Sequence, residues 1–389
     1  MSNQEPEQQF TTFHKIHTES STHLEECNDE SVHLVVTSPP YPMIEMWDET
    51  FSQQDPNIGK AIDQELGPEA FEFMHKLLDS VWEESFRVLV PGGILCVNIG
   101  DAVRKLGGHF RLFTNHSRII QGAIEAGFMS LPGILWRKTT NAPNKFMGSG
   151  TLPAGAYITL EHEHILVFRK AGNRDFASVQ DKLNRRRSAY FWEERNHWFS
   201  DMWEMGGARQ TWSLRGPDDS DPWKAVRGRS AAYPFEIPYR LIAMFTVYGD
   251  TVVDPFWGAG TTTMAAVALG RNSMGWEIHP EIAEYGMNRI LDSINSLQDV
   301  PLKRLSAHQQ FIKQRLGGGK TFKHFNQMIQ MPVITGQESE LVMYGVQDIQ
   351  DHSQWEVSCS HRLITTDDLL IIPSVPSAAT SNKVKSTRM

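Results

Sequence analysis

The stretch TVVDPFWGAGTTTMAAVALG, residues 251–270, decides the fold. TVVD is a short β-branched run ending in a carboxylate, which reads as a buried strand. After the Pro255 turn, Gly258 and Gly260 allow positive φ and a close backbone approach to a ligand. The Thr run at 261–263 caps the helix that follows, whose amide end faces the turn, and Gly270 closes that helix. No Lys follows the turn, which disfavours a phosphate-cradling loop, and the third Gly of the dinucleotide fingerprint is missing. The next strand, SMGWEI (273–278), ends with Glu277 in register to hold a ribose through its two hydroxyls. A nucleoside without a pyrophosphate therefore suits this unit better than a dinucleotide. A plain turn with a capped helix would explain the glycines, but not Asp254-Pro255-Phe256 beside them.

Similar units recur on either side. HLVV (33–36) reads as a buried strand that stops at Ser38-Pro39-Pro40-Tyr41. Apolar residues from Phe71 to Phe86 recur at helical spacing over 67–90, and Pro91-Gly92-Gly93 ends that helix. ILCVNIGD (94–101) is the next strand, and a helix over about 116–126 closes at Gly127. SLPGILWRK (130–138) and ITLEHEHILVFRK (158–170) read as neighbouring strands near a sheet edge. Residues 171–230 lose periodicity and scatter five tryptophans (192, 198, 203, 212, 223) among charges, as in an inserted, loop-rich module. Those rings suit base stacking and the packing of a small module equally well. Pro234 opens a helix to about Val247, and 280–315 is helical and amphipathic. Alternating strands and helices predict an α/β fold with a mostly parallel sheet, its ligands beyond the carboxyl ends of the strands.

The bulk numbers set limits. With 389 residues, the chain suffices for one large α/β domain or two smaller ones. No apolar run is long enough to span a membrane, and the polar N-terminus lacks the blocks of a signal peptide. Three widely separated cysteines point to a reducing cytosol and to no metal-ligand set. His162 and His164 share one face of a strand, but no third ligand is identifiable, so they read as sheet and no metal is expected. The net charge of −9 does not favour a phosphate-binding surface overall. The local basic stretches are RKTTNAPNK (137–145) and KLNRRR (182–187).

Taken together, TSPPY (37–41) and DPFWGAGTT (254–262) resemble the catalytic and cofactor motifs of amino-methylating DNA methyltransferases that use S-adenosylmethionine. GWEI (275–278), VLVPGGILCVNIGD (88–101), WRKTTNAPN, EHILVFRK and YPFEIPYRLI (233–242) are similar to further family segments. The likeness covers about residues 16–285, with the catalytic motif first, as in the permuted β class. It implies a Rossmann-like, mostly parallel twisted sheet (the permuted class I methyltransferase fold) with an inserted target-recognition region. Six parts follow: a flexible N-terminus (1–15), a catalytic half (16–170), a target-recognition region (171–230) and a cofactor half (231–285). A helical C-terminal extension (286–375) available for DNA contacts and a disordered tail (376–389) complete the chain. The family's upstream Gly-Asp and Asp are replaced here by Thr18-Glu19 and His33.

The resemblance also implies roles. Ser38, Pro39, Pro40 and Tyr41 would be catalytic. The Ser38 hydroxyl and Pro39 carbonyl would accept the two hydrogens of an exocyclic amine and spread the charge developing on its nitrogen. The prolines stiffen that carbonyl, and Tyr41 would stack on a base flipped out of the duplex. Asp254, Phe256, Gly258, Gly260, Thr261 and Glu277 would hold the cofactor, with Asp101 and Phe235 flanking its methionine part. Arg185, Arg186, Arg187, Lys138 and Lys145 would meet DNA. Within the family, Ser-Pro-Pro-Tyr goes mostly with cytosine N4 and Asp-Pro-Pro-Tyr with adenine N6. Methylation at cytosine C5 needs a Pro-Cys nucleophile, and no Cys here follows a Pro. The implied protein is a prokaryotic, cytoplasmic, nucleoid-associated modification enzyme, the functional partner of a restriction endonuclease. Its rivals are an N6-adenine enzyme and a non-catalytic nucleic-acid-binding protein that keeps the cofactor fold.

Overall fold

The computed structural model describes residues 6–138, 147–207 and 233–369. Its centre is a ten-stranded sheet. Five adjacent strands form a parallel block, in the order Leu89–Ile99, Val32–Thr37, Thr251–Asp254, Asn272–Trp276 and Gln9–His17. Beyond Leu89–Ile99 the antiparallel His162–Arg169 comes next, followed by Met129–Lys138 and the edge strand Met202–Met205. At the opposite edge a hairpin of Glu356–Ile364 and Met343–Ser353 pairs antiparallel with Gln9–His17.

The central strands are apolar on both faces because both faces are covered. Val35, Leu95, Val97 and Val253 enter a core with Met74, Leu78, Val81 and Trp82 of the helix Gly67–Val88. Their neighbours Leu34, Val36, Cys96 and Val252 turn the other way. They meet Ile237, Leu241 and Ile242 of Glu236–Phe245, and Ala265 and Ala266 of Thr261–Ala268. Such double burial leaves near-continuous apolar runs rather than polar alternation. The helix Gly67–Val88 starts with Pro68 in its first turn, where a missing N–H costs nothing, and its apolar residues recur every three or four positions. The three cysteines are free and buried.

Three expectations are corrected. Residues 9–17 are not a frayed end; they are a strand between two others, with Thr12 and His14 buried. The described part of 171–230 is not a separate module. Met202–Met205 extends the main sheet, while Trp198 and Trp203 lie in a core rather than on a stacking surface. Trp192 packs beside Phe311 and Arg315, and Trp212 and Trp223 fall outside the described residues. The C-terminal extension is not helical throughout: after the helices Pro280–Asp292 and Ile294–Gly317, its 343–364 hairpin completes the sheet. Serine and histidine runs such as EVSCSHRLI lack an apolar signal. They are buried here by hydrogen bonds, with the Thr12 hydroxyl bonded to both His14 and His361. The tail from 376 lies outside the described residues. No helix among the described residues is long and apolar enough to cross a membrane.

Candidate active site

The parallel strands Val32–Thr37 and Thr251–Asp254 pair directly and end side by side, so the Pro-Pro turn and the glycine loop open into one cavity of about 370 Å³. A hydrogen bond ties the two motifs together, with the Thr37 hydroxyl donating to Asp254 Oδ1 at 2.7 Å. Asp254 also accepts from the Thr262 hydroxyl, from Phe256 N at 3.1 Å and from the Tyr233 hydroxyl at 3.4 Å. It is 2 % exposed, and burial pushes its carboxyl up to about 6 against these donors. Glu277, on the adjacent strand end, accepts Gly258 N at 3.0 Å and His279 N at 2.9 Å. Burial raises it to about 7.

The Pro-Pro turn forms the other wall. Ser38, Pro39, Pro40 and Tyr41 all line the cavity, as do Asn98 and Glu163. The Tyr41 hydroxyl donates to Glu163 Oε2 at 2.8 Å, and the Asn98 amide donates to both Tyr41 and Glu163 at 2.8 Å. Ser38 Oγ lies 3.4 Å from the Tyr41 hydroxyl, as donor, and 3.5 Å from Asn98 Nδ2. Lys138 pairs with the other oxygen of Glu163 and sits over the Trp136 ring. The sequence reading passed over Asn98 and Glu163. The signal for Glu163 was present in EHEH: two histidines sharing one strand face turn the glutamate between them to the other.

The cavity gathers Asp254, Phe256, Gly258, Thr261 and Glu277, as the sequence suggested, together with Glu19 where the family has a different residue. Gly258 has φ +53°, and a Cβ there would meet nothing nearer than 3.9 Å, leaving the loop backbone open to a ligand. Gly260, at φ +76°, is placed differently, since a Cβ would strike the Trp257 ring at 2.8 Å. Its job is packing. Trp257 is 2 % exposed, pinned by its indole N–H on the Thr263 hydroxyl at 2.7 Å. At Gly275 a Cβ would lie 2.2 Å from the same ring. Gly275→Ala is therefore expected to lower stability by about 1–3 kcal/mol through overpacking. A thermal unfolding midpoint equal to that of the parent would contradict this packing role.

Asp101 and Phe235 do not line the cavity. Asp101 instead accepts His116 N at 3.1 Å and His116 Nδ1 at 2.8 Å, fastening the start of the helix Asn115–Glu125. Phe235 stacks on Tyr239 one turn along its helix. The third ligand missing beside His164 has two candidates in space, Asp101 and His116. The His116 and His164 rings, however, are stacked 4.1 Å apart at 15°, so they cannot both aim an in-plane lone pair at one ion. Burial, then His116 beside it, lowers His164 to about 4.

Of the basic residues expected at DNA, Lys138 is in the cavity and engaged with Glu163. Lys145 lies outside the described residues. The helix Val179–Arg187 sits at the other end of the sheet: Asn184 donates to Tyr248 O, ahead of the strand whose far end carries Asp254. Arg187 is 8 % exposed, Arg186 pairs with Glu340, and Arg185 lies over Phe176. This triplet is withdrawn as a contact for DNA seated at the cavity.

Comparison with known proteins places the chain in a family. The family model described as a DNA methylase, of N6/N4 type, matches residues 32–288. The chain is 44% identical over 334 residues to Type II methyltransferase M.MthZI of Methanothermobacter thermautotrophicus, covering 86% of this chain and 90% of that one. It is 51% identical over 280 residues to Type II methyltransferase M.MjaI of Methanocaldococcus jannaschii, covering 69% and 88%. Among solved structures, the Thermus thermophilus protein described as 'Putative DNA Modification Methylase', complexed with S-adenosyl-L-methionine, aligns with TM-score 0.53 and 31% identity over 72% of this chain and 95% of that one.

Proposed function

The chain belongs to the N6/N4 DNA methylase family, and from that premise we propose that it methylates N4 of cytosine in a short duplex site as the modification partner of a restriction endonuclease. The observation that carries the proposal is Ser38 at the cavity wall, joined through Thr37 to the glycine loop. An exocyclic amine is a weak nucleophile because its lone pair is delocalised into the ring. Acceptors for both its hydrogens favour the tetrahedral geometry it needs and stabilise the charge it gains. The Ser38 hydroxyl and the Pro39 carbonyl, stiffened by Pro40, would supply these acceptors. Tyr41 would stack on the flipped base.

S-adenosylmethionine is the cofactor, and its sulfonium supplies an already activated methyl group. The residues present suit it: Gly258 leaves the loop backbone bare, and Glu277 presents a buried carboxylate for paired hydroxyls. Asp254, Phe256 and Thr261 would complete its cradle. Because Glu277 is raised to about 7 and hydroxyl donors favour its ionised form, binding should release a proton near neutrality. Affinity is then expected to rise with pH through about 7 and level off above it. Calorimetry in two buffers of different ionisation enthalpy checks this; affinity that falls with pH would contradict it.

Incubation with labelled cofactor and duplex DNA tests the proposal as a whole. Transfer of label to DNA is the expected result. Cofactor and DNA binding with no transfer would instead favour a non-catalytic member of the fold.

A further inference from the structure

Methylation of an amine leaves a proton to be disposed of, and the inference that follows rests on the reading above. As the nitrogen lone pair bonds to the methyl carbon, the carbon–sulfur bond breaks and its electron pair stays on sulfur. The nitrogen then bears the positive charge, and one N–H proton must go to an acceptor. We propose that Glu163 is that acceptor, reached through the hydroxyls of Ser38 and Tyr41, and that Lys138 and Asn98 hold its carboxylate in position.

The hydrogen bonds already run in the required direction. Ser38 Oγ donates to the Tyr41 hydroxyl at 3.4 Å, and the Tyr41 hydroxyl donates to Glu163 Oε2 at 2.8 Å. If Ser38 Oγ takes the amine proton, its own hydrogen passes to Tyr41 and that of Tyr41 to Glu163. Both hydroxyls end neutral, and one proton has moved from amine to carboxylate. Burial, then the charge of Glu163, holds the Tyr41 phenol well above its ordinary value, so it passes a proton on rather than losing one.

The sheet register explains how Glu163 comes to be there. Trp136 is its cross-strand partner, which places Lys138 as a diagonal neighbour on the same face. Asn98 pairs with Ile165 on the opposite side, again diagonal to Glu163. The carboxylate is thus 8 % exposed yet held by an ammonium, an amide and a phenol. Of the titratable groups nearby, Tyr41 and Lys138 touch it, while Tyr233 acts electrostatically on Tyr41. His116, from the helix packed on the strand's other face, meets His164 instead.

Single-turnover transfer to duplex DNA in ordinary and in heavy water tests this, with cofactor and DNA affinities measured separately on wild type, Glu163→Gln and Tyr41→Phe. Glu163→Gln is expected to slow transfer about 10²–10³-fold and to lose the solvent deuterium isotope effect that the relay gives the wild type. Both affinities should stay within about threefold of wild type. Tyr41→Phe keeps the ring but removes the relay hydroxyl, and it should reproduce both effects; it decides the matter if the Gln variant fails to fold. The proposal is overturned if either folded variant transfers at the wild-type rate, or slows while keeping the wild-type solvent isotope effect. A wild-type enzyme that methylates no DNA amine would sink the underlying reading instead, a result seen before any variant is compared.

Discussion

Replacing Ser38 by Ala is expected to slow methyl transfer about 10²–10³-fold while leaving cofactor affinity nearly unchanged. The separation follows from the layout of the cavity. Ser38 lies on the wall formed by the Pro-Pro turn, and its contacts to Tyr41 and Asn98 are long, at 3.4 and 3.5 Å. Little of the fold depends on them, so the stability change should stay within about 0.5 kcal/mol. Loss of the hydroxyl removes an acceptor needed only as charge develops on the amine, and such a change lowers kcat rather than binding. Stopped-flow or quench measurements of transfer, beside a cofactor titration, check it. Turnover equal to wild type would remove Ser38 from the chemistry.

Asp254→Ala should produce the largest change in stability. One buried carboxylate satisfies the hydroxyls of Thr37, Thr262 and Tyr233 and the amide of Phe256. Removing it strands these donors, each costing about 1–3 kcal/mol when left unpaired, although water entering the space would recover part of the loss. A net destabilisation of about 2–4 kcal/mol follows, together with a much weakened cofactor site, because the glycine loop loses its anchor. Asp254→Asn gives a separate signature. The folded carboxyl sits at about 6 against an ordinary 3.8, so the folded state binds its proton more tightly than the unfolded one does. That contribution is fully present below about pH 4 and is lost as pH rises through about 6, by an amount on the order of 3 kcal/mol. Without cofactor, wild-type stability should therefore fall across this window, with Glu277 extending the fall towards 7. The Asn variant should show a shallower fall between about pH 4 and 6. An identical profile in both proteins would contradict the placement of Asp254.

The parts of the fold legible in the sequence were those with a local signal. TVVD with its glycine turn, HLVV with its prolines, and the helix over 67–88 each carry their own periodicity and punctuation. The strand Gln9–His17 and the C-terminal hairpin were hidden because Thr12, His14, Ser358 and His361 are polar residues buried as hydrogen-bonded partners. Within the site, the residues of the two motifs and Glu277 on the next strand were legible as cavity residues, whereas Asn98 and Glu163 were not. Asn98 and Glu163 reach Tyr41 only through the antiparallel pairing of Leu89–Ile99 with His162–Arg169. Gly260 shows the converse: a motif glycine read as a ligand contact whose neighbour is Trp257. The Arg185–Arg187 cluster failed for a similar reason, because sequence proximity says nothing about which end of a sheet a helix will cover.

The most direct test of the central claim is the identity of the methylated base. Plasmid DNA treated with the protein and cofactor, digested to nucleosides and resolved by mass spectrometry, should contain N4-methylcytosine. N6-methyladenine in its place would contradict the role assigned to Ser38 in choosing the substrate, and the absence of any methylated base would contradict the proposed activity itself.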